Sequence, residues 1–372
     1  MTMLAEYEPP ATGEWARLAP AAAGFDAGAL ADAVAFAEAN ETPWERDLAR
    51  QIGQGHFEPP PWNEIIGPTR ARGGPAGLVL RGGRVVASWG DPARADMTFS
   101  ASKSYLSLCA GLAFDDGLLP DPCTPVRDLV DDGGFDPPHN AAIQWHHLLQ
   151  LTSEWEGELW GKPDLVDRNR DLALEGLNAD KGKARPLQAP GTHWEYNDVR
   201  VNRLALSLLR LWRRGLPDLL RERIMDPIGA SRTWEWHGYR NSFVDIDGHQ
   251  VQSVSGGGHW GGGLFISSWD HARVGLLMLR DGRWGGRQLV SREWIARSLT
   301  PCMLKPTYGY MWWLNTGRLL QPSAPASGFA AVGAGSNIVW VDRESDVVVV
   351  ARWIAKDKVD GLLGRVHAAL RS

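Results

Sequence analysis

The chain has 372 residues, of which 44% are hydrophobic and 22% are charged, so it can bury a large core as one domain or as two interlocked domains. A formal net charge of −5, without any run of like charges, argues against nucleic acid and against an anionic membrane surface as partners. No apolar run is long enough to cross a bilayer, and the N-terminus lacks the features of a secretory signal, so we expect a cytoplasmic protein.

The N-terminal part of the chain is interrupted by prolines and contains one clear helical pattern, which begins at an Asp26 cap. Apolar runs at 76–80 and 84–89 follow it. Gly82-Gly83 lies between these runs and predicts a tight β-hairpin, because glycine adopts positive φ angles without strain. The predicted sheet begins here.

Ser100 stands at the start of an apolar run with helical spacing that ends near Gly117. Lys103 follows one turn later on the same face, so its ammonium can reach the Ser100 hydroxyl. A serine needs a neighbour to accept its proton before it becomes a strong nucleophile, and we expect burial to lower the pKa of this lysine toward that task. A serine at a helix start is also an ordinary cap, so the S-x-x-K pair alone decides nothing.

Two more helical patterns follow, one at 143–151 and one that runs from Asp198 to Trp212. A polar and irregular connection at 152–191 separates them. It leads into a loop that places Tyr196 just before the second helix.

The last third of the chain returns to short strands and turns. Ser267 and Asp270 form a capping box for one more helix. Two β-branched runs on either side of a turn at 342–346 predict a hairpin, and a helix is predicted at 359–370.

Strands at both ends of the chain with helices between them predict an α+β fold. We expect an α/β domain built from residues 1–98 and 255–372. A mainly helical insertion at 99–254 interrupts it, and the active site lies at the junction.

Three motifs in this order carry a family resemblance: S-x-x-K from Ser100 to Lys103, Tyr196-Asn197-Asp198, and Ala331-Val332-Gly333-Ala334. The chain resembles the serine β-lactamase and penicillin-binding protein superfamily, most closely its class C-like branch of family VIII-type esterases and related amide hydrolases. This resemblance implies a β-lactamase/transpeptidase-like fold, with an antiparallel sheet flanked by helices and an inserted helical domain. Softer matches are HLLQLTS at 147–153, PGTHWEYN at 190–197, GGGLFISSWDHARVG at 261–275 and YGYMWW at 308–313.

The resemblance implies that Ser100 is the acylated nucleophile, Lys103 its proton-accepting neighbour and Tyr196 the group that carries the proton to the leaving group. A tyrosine near an ammonium can act as a base in one step and as an acid in the next. Whether the lysine or the tyrosine is the primary base stays open. The resemblance implies an oxyanion hole formed by the backbone N–H groups of Ser100 and Ala334, with Gly333 allowing the backbone to approach closely.

The chain departs from the family pattern at two motifs. The third motif lacks the usual lysine and threonine, since Ala331 and Val332 stand there, and the second ends in Asp198 where asparagine is usual. Asp198 has a second interpretation as the N-cap of the following helix. Because no cation replaces the missing lysine, and Asp198 would repel a carboxylate, we expect neutral esters to be better substrates than β-lactams.

Further substrate contacts are predicted at His259 and Trp260, which lie between two glycine triplets, and at Gly333. His259 is open to a structural interpretation as part of a turn. Trp194, Trp312 and Trp313 lie near the motifs and can form the wall of an apolar acyl pocket, as can Trp260, although most tryptophans serve packing.

We expect no cofactor and no metal, because His146, His147 and His193 lack the spacing of a zinc site. A small ester or amide is the expected partner, whereas the oligomeric state is not predicted. The predicted function is that of a serine hydrolase acting on small carboxylic esters. The alternatives are a β-lactamase or D-peptidase-like amide hydrolase, and a sensor that becomes acylated and does not turn over.

Overall fold

A computed structural model describes residues 6–11, 14–172 and 179–371. Within these ranges the α-helices are α1 Ala27–Ala39, α2 Leu48–Gly53, α3 Ser102–Asp115, α4 Trp145–Leu149, α5 Asp198–Trp212, α6 Leu216–Leu220, α7 Ser268–Leu279, α8 Arg292–Ser298 and α9 Val359–Ala368. The strands in the same ranges are β1 Ala76–Arg81, β2 Arg84–Trp89, β3 Asp96–Met97, β4 Glu158–Leu159, β5 Lys162–Pro163, β6 Glu235–Ile246, β7 His249–Val254, β8 Gly263–Ile266, β9 Arg283–Trp284, β10 Arg287–Gln288, β11 Trp313–Leu314, β12 Phe329–Gly333, β13 Asn337–Asp342 and β14 Val347–Arg352.

In the part of the chain that the structure describes, six antiparallel strands form the main sheet, in the order β11-β12-β13-β14-β1-β2. The predicted hairpins β1-β2 and β13-β14 are confirmed, and β1 joins them by pairing with β14. The N-terminal and C-terminal parts of the chain therefore share one sheet. This arrangement confirms the α+β, β-lactamase/transpeptidase-like fold.

Both faces of the main sheet are covered, which explains why β14 is an uninterrupted apolar run. Successive strand residues point to opposite faces. Val348 and Val350 pack into the large core with α3, α5 and α7. Val347 and Val349 pack on the other face against α1 and α9.

A second sheet has the strand order β3-β8-β6-β7. Its long hairpin β6-β7 lies inside the segment 99–254, which the sequence predicted to be mainly helical. The segment carries the predicted helices α3, α4 and α5 and one more, α6, but apolar residues of β6 and β7 also face the core. The division of the chain into two domains stays a prediction.

Helix α3 runs through the large core and is buried along most of its length. It begins two residues after Ser100, so the fold holds this serine between the main sheet and the second sheet. None of the helices in the described ranges is long and apolar enough to span a membrane.

Candidate active site

Ser100 lies in a short 3-10 turn, Phe99–Ala101, that leads directly into α3. Phe99 has a φ of 48°, a left-handed conformation that is unfavourable for a side chain of this kind. Ser102 supports the turn, because its hydroxyl donates to Phe99 O at 2.5 Å and accepts from Leu264 N at 3.3 Å. The backbone around Ser100 is therefore fixed before any substrate binds.

The end of β12 is pressed against this turn. A Cβ atom on Gly333 would lie 2.0 Å from the Thr98 carbonyl oxygen and 3.0 Å from Ala101 N. Only glycine allows this approach, and it brings Gly333 and Ala334 to the wall of the cavity that Ser100 also lines.

Lys103 is the buried partner of Ser100. Its Nζ lies 2.8 Å from Ser100 Oγ and 2.5 Å from Asp198 Oδ1. The same ammonium stands 4.7 Å from the centre of the Tyr196 ring. The structure thus brings together the three residues that the sequence singled out for acyl transfer.

The charge state of Lys103 differs from the expectation. Burial lowers the pKa of this lysine, but its attraction to the Asp198 carboxylate and to Tyr196 outweighs burial and raises the pKa above its ordinary value. The expected lowering of the Lys103 pKa is therefore wrong, because the sequence did not reveal a buried carboxylate beside it. Lys103 is an ammonium that donates to Ser100 and Asp198.

Asp198 is the first residue of α5, and its alternative interpretation as the N-cap is wrong. Asn197 caps the helix, since its side chain accepts from Val199 N at 3.1 Å and from Arg200 N at 3.2 Å. The backbone N–H of Asp198 instead donates to Asp167 Oδ2 at 2.6 Å. The Asp198 side chain is free to point at Lys103.

Both carboxylate oxygens of Asp198 are occupied by cationic side chains. Oδ1 accepts from Lys103, whereas Oδ2 lies 2.7 Å from Arg170 Nη1 and 3.0 Å from His259 Nδ1. Burial opposes the charged form of Asp198, but these neighbours hold its pKa well below the ordinary value. The expected repulsion of a substrate carboxylate by Asp198 is not supported, because three partners compensate this charge.

A second layer of charges lies behind Asp198. Lys181 Nζ contacts Glu58 and lies 3.0 Å from Asp167 Oδ1, while His259 Nε2 lies 3.0 Å from Glu58 Oε1. Glu58, Asp167 and His259 offer atoms within 4.8 Å of one another that would suit a metal ion. The Lys181 ammonium already lies between the two carboxylates, so a protein side chain supplies the positive charge that these carboxylates require.

The glycine triplet 256–258 provides the space for this cluster. A Cβ atom on Gly257 would lie 1.9 Å from Asp198 Oδ1 and 2.6 Å from Lys103 Nζ. Any larger residue at this position would separate the pair. This explains the glycine-rich stretch just before His259, for which the sequence offered no specific role.

Ser100 opens into a cavity of about 770 Å³. Its described lining combines apolar and aromatic residues with charged ones, among them Lys305, Lys356, Asp357 and Asp360. Other residues of the cavity wall include Ser100, Arg170, Tyr196, Trp313, Leu319, Leu320, Gly333 and Ala334.

Aromatic rings fix the position of Tyr196. The Trp313 ring stacks on the Tyr196 ring with 6.0 Å between their centres. The rings of Tyr308 and Trp194 also pack against Tyr196, at an angle to its ring. Trp313 therefore lines the cavity as predicted, while Trp312 is buried in the core.

His259 and Trp260 occupy a different place from the one predicted. Neither belongs to the described cavity wall. Trp260 is fully buried and stacks on the His259 ring at 4.7 Å, and its indole N–H donates to Trp62 O at 2.8 Å. Direct substrate contact by these two residues is not supported, since they lie behind Asp198.

The family is established by comparison with known proteins. The family model described as Beta-lactamase matches residues 22–357. The chain belongs to the Beta-lactamase family.

Several solved structures share the fold of this Beta-lactamase family protein. A family VIII carboxylesterase is 15% identical with a TM-score of 0.56, covering 92% of this chain and 97% of that chain. EstCE1, described as a hydrolase with promiscuous acyltransferase activity, is 16% identical with a TM-score of 0.57, covering 93% of this chain and 99% of that chain. A penicillin-binding protein homolog from Caulobacter crescentus is 15% identical with a TM-score of 0.56, covering 87% of this chain and 96% of that chain.

Sequence reasoning missed four charged residues of this Beta-lactamase family site. Arg170, Asp167 and Lys181 lie in the connection 152–191, which was treated as irregular, and Glu58 lies in the proline-rich N-terminal part. One signal was available, because aspartate at position 198 in place of asparagine requires a compensating cation once it is buried. The sequence could not show which cation compensates it.

Proposed function

We propose that this protein is a serine hydrolase that cleaves small carboxylic esters through a covalent acyl-enzyme. The observation that carries the proposal is the 2.8 Å contact between Lys103 Nζ and Ser100 Oγ, with Tyr196 beside the same ammonium and with Ser100 and Tyr196 both lining the cavity. This is the arrangement of a nucleophile, a cation and a proton carrier that acyl transfer requires.

In the proposed first step, Ser100 Oγ attacks the ester carbonyl carbon and passes its proton to Tyr196, which acts as a phenolate. Lys103 does not accept this proton, because it is already an ammonium. The carbonyl oxygen becomes an oxyanion held by the backbone N–H groups of Ser100 and Ala334.

The C–O bond to the alcohol then breaks, and Tyr196 returns the proton to the leaving oxygen. A water molecule attacks the acyl-enzyme in the same way, with its proton passing to Tyr196 and then to Ser100 Oγ. The carboxylic acid leaves and the enzyme returns to its starting state.

Neutral esters suit this cavity better than carboxylate-bearing substrates. Ala331 supplies no charge at the third motif, and it packs into the large core. Arg170 is a cation in the cavity wall, but its charge is shared between Asp198 at 2.7 Å and Asp167 at 3.5 Å. Lys305 and Lys356 also line the cavity, so the proposed preference for neutral esters rests on the missing lysine of the third motif and on the pairing of Arg170.

The first test is hydrolysis of p-nitrophenyl butyrate together with labelling by a fluorophosphonate. We expect steady turnover, a single label on Ser100 in a peptide mass map, and no turnover in Ser100→Ala. Ser102→Ala is the matched control, since Ser102 is buried and its hydroxyl serves the turn. Label on Ser102, or one burst of product without turnover, would contradict the proposal, and the burst would favour the sensor.

A β-lactam amide hydrolase is the second candidate, and the Arg170 guanidinium in the cavity wall is the observation that favours it. Comparison of kcat/KM for nitrocefin and p-nitrophenyl butyrate separates the two. We expect the ester to be the better substrate by at least about fivefold, since one charge at about 4 Å is worth about 1 kcal/mol in water. Equal values would favour the amide hydrolase.

A further inference from the structure

The carboxylate of Asp198 divides its contacts between two sides of the site. Oδ1 faces Lys103 and through it Ser100, whereas Oδ2 faces His259 and Arg170. Rotation of this carboxylate would break the 2.5 Å contact with Lys103, so whatever holds Oδ2 also holds the lysine.

His259 is itself held on every side. Its Nε2 lies 3.0 Å from Glu58 Oε1, and Nδ1 lies 3.0 Å from Asp198 Oδ2. Trp260 stacks on the ring at 4.7 Å, and Phe57 meets it edge-on at 4.5 Å. The imidazole is therefore packed in one orientation, in which Nδ1 is hydrogen-bonded to Asp198 and Nε2 lies at ion-pair distance from Glu58 without a hydrogen bond.

We propose that His259, oriented by Glu58, is a positioning residue that fixes Asp198 and thereby keeps the Lys103 ammonium on the Ser100 hydroxyl. Glu58, His259, Asp198 and Lys103 then form a row of alternating charge that ends at the nucleophile. This inference rests on the proposed serine hydrolase function. It assigns to His259 a role in the reaction without contact with the substrate.

The surrounding charges agree with a cationic His259. Burial lowers the pKa of this histidine, but the Asp167 and Glu58 carboxylates, with Asp198, outweigh it and raise the pKa above 6.5. Two further cations pair with the same carboxylates: Lys181 with Glu58 and Asp167, and Arg170 with Asp198. An imidazolium can donate from Nδ1 to Asp198, and its positive charge attracts the Glu58 carboxylate 3.0 Å from Nε2.

Two substitutions of His259 separate positioning from loss of charge. In His259→Asn the amide nitrogen can take the place of Nδ1 and donate to Asp198, whereas in His259→Gln it takes the place of Nε2 and faces Glu58. Both variants lose the same positive charge and the same ring. Only the first keeps the contact that the proposal requires.

The experiment measures kcat and KM for p-nitrophenyl butyrate, with thermal unfolding of every variant. We expect His259→Gln to lose on the order of tenfold in kcat with little change in KM, and His259→Asn to recover most of that loss. Glu154→Gln is the control, because Glu154 is also buried between two arginines, Arg185 and Arg200, without touching Lys103. It should lower the unfolding temperature and leave kcat unchanged.

Equal kcat values for the two His259 variants would overturn the proposal, whether both are low or both match the wild type.

If neither variant folds, Arg170→Lys and its neighbour Arg168→Lys test the other contact to Oδ2. Arg168 pairs with Asp164 and not with Asp198. Loss of kcat in Arg170→Lys alone supports positioning through Asp198, and equal kcat contradicts it. Residual turnover in Ser100→Ala would instead refute the proposed hydrolase function itself.

Discussion

Two neighbouring regions of the site meet at the Phe57 ring, and each holds a histidine in different surroundings. On the charged side His259 lies among carboxylates, which raise its pKa. On the apolar side His56 packs against Trp44 and Phe57, and burial together with repulsion from His259 and Arg170 lowers its pKa to about 4. The charged side is therefore an array of buried ion pairs, and the apolar side is an aromatic part of the cavity wall with a neutral imidazole.

This difference suggests a division of labour. The charged side contacts Ser100 through Lys103, so we propose that it governs proton transfer and orientation. The apolar side lines the cavity, and we propose that it contacts the substrate. Substitutions on the first side should change kcat and stability, whereas those on the second should change KM and chain-length preference.

The largest effects are expected for Lys103 and Tyr196. Lys103→Ala and Tyr196→Phe should each lower kcat by about 10²–10⁴-fold, because Tyr196 carries the proton and the Lys103 ammonium positions Ser100 and Tyr196 for that transfer. The double variant should be little worse than either single one. Steady-state kinetics on p-nitrophenyl butyrate checks this, and fully additive losses would mean that the two residues act independently.

Asp198→Asn restores the residue usual in the family and removes the carboxylate beside Lys103. Only Tyr196 then opposes burial, so the pKa of Lys103 falls and the alkaline limb of kcat/KM moves to lower pH. Loss of one partner from a buried ion pair costs about 3–5 kcal/mol of unfolding free energy. A pH profile and urea unfolding test this, and an unchanged alkaline limb would show that Lys103 does not have to stay protonated.

The two histidines predict opposite pH dependences of stability. His259 has a raised pKa in the folded state, so its contribution is full below 6.5 and is lost as pH rises through the folded value. His56 has a lowered pKa, so its contribution is full above 6.5 and is lost as pH falls toward 4. Unfolding free energies between pH 4 and 9 should show the alkaline loss in wild type and not in His259→Asn. The same loss in both proteins would mean that another group causes it.

The smallest effects are expected on the apolar side. Leu319 is 69% exposed although it lines the cavity, so it can cover a hydrocarbon chain that extends outward from Ser100. Each buried CH₂ is worth about 0.8 kcal/mol, or roughly fourfold in KM. In the wild type, kcat/KM should rise as the acyl chain lengthens from p-nitrophenyl acetate to p-nitrophenyl hexanoate. Leu319→Ser should make this rise smaller. Leu118→Ser is the control, because Leu118 is an exposed leucine outside the cavity wall. If kcat/KM rises equally with chain length in both variants, Leu319 does not contact the substrate.

Local patterns predicted most of the elements that carry the site. The hairpins β1-β2 and β13-β14, the Asp26 cap of α1 and the start of α5 at Asp198 all agree with the sequence, because glycine turns, caps and apolar periodicity act over a few residues. The family resemblance, confirmed by the family model, supplied the fold and the expectation that Ser100, Lys103 and Tyr196 lie together. The long β6-β7 hairpin was missed, since β6 reads as several short polar and aromatic pieces.

The sequence by itself therefore determined most of the helices and hairpins and, through the family, the fold, and it singled out Ser100, Lys103 and Tyr196. Only the tertiary structure decided their charge state. Glu58, Arg170 and His259 lie far apart along the chain, and their distances to Asp198 and Lys103 depend on how loops pack against α3 and α5. Electrostatic energy depends on distance and burial, which sequence spacing does not supply for residues on different elements. For this reason Lys103 has a raised pKa where a lowered one was expected.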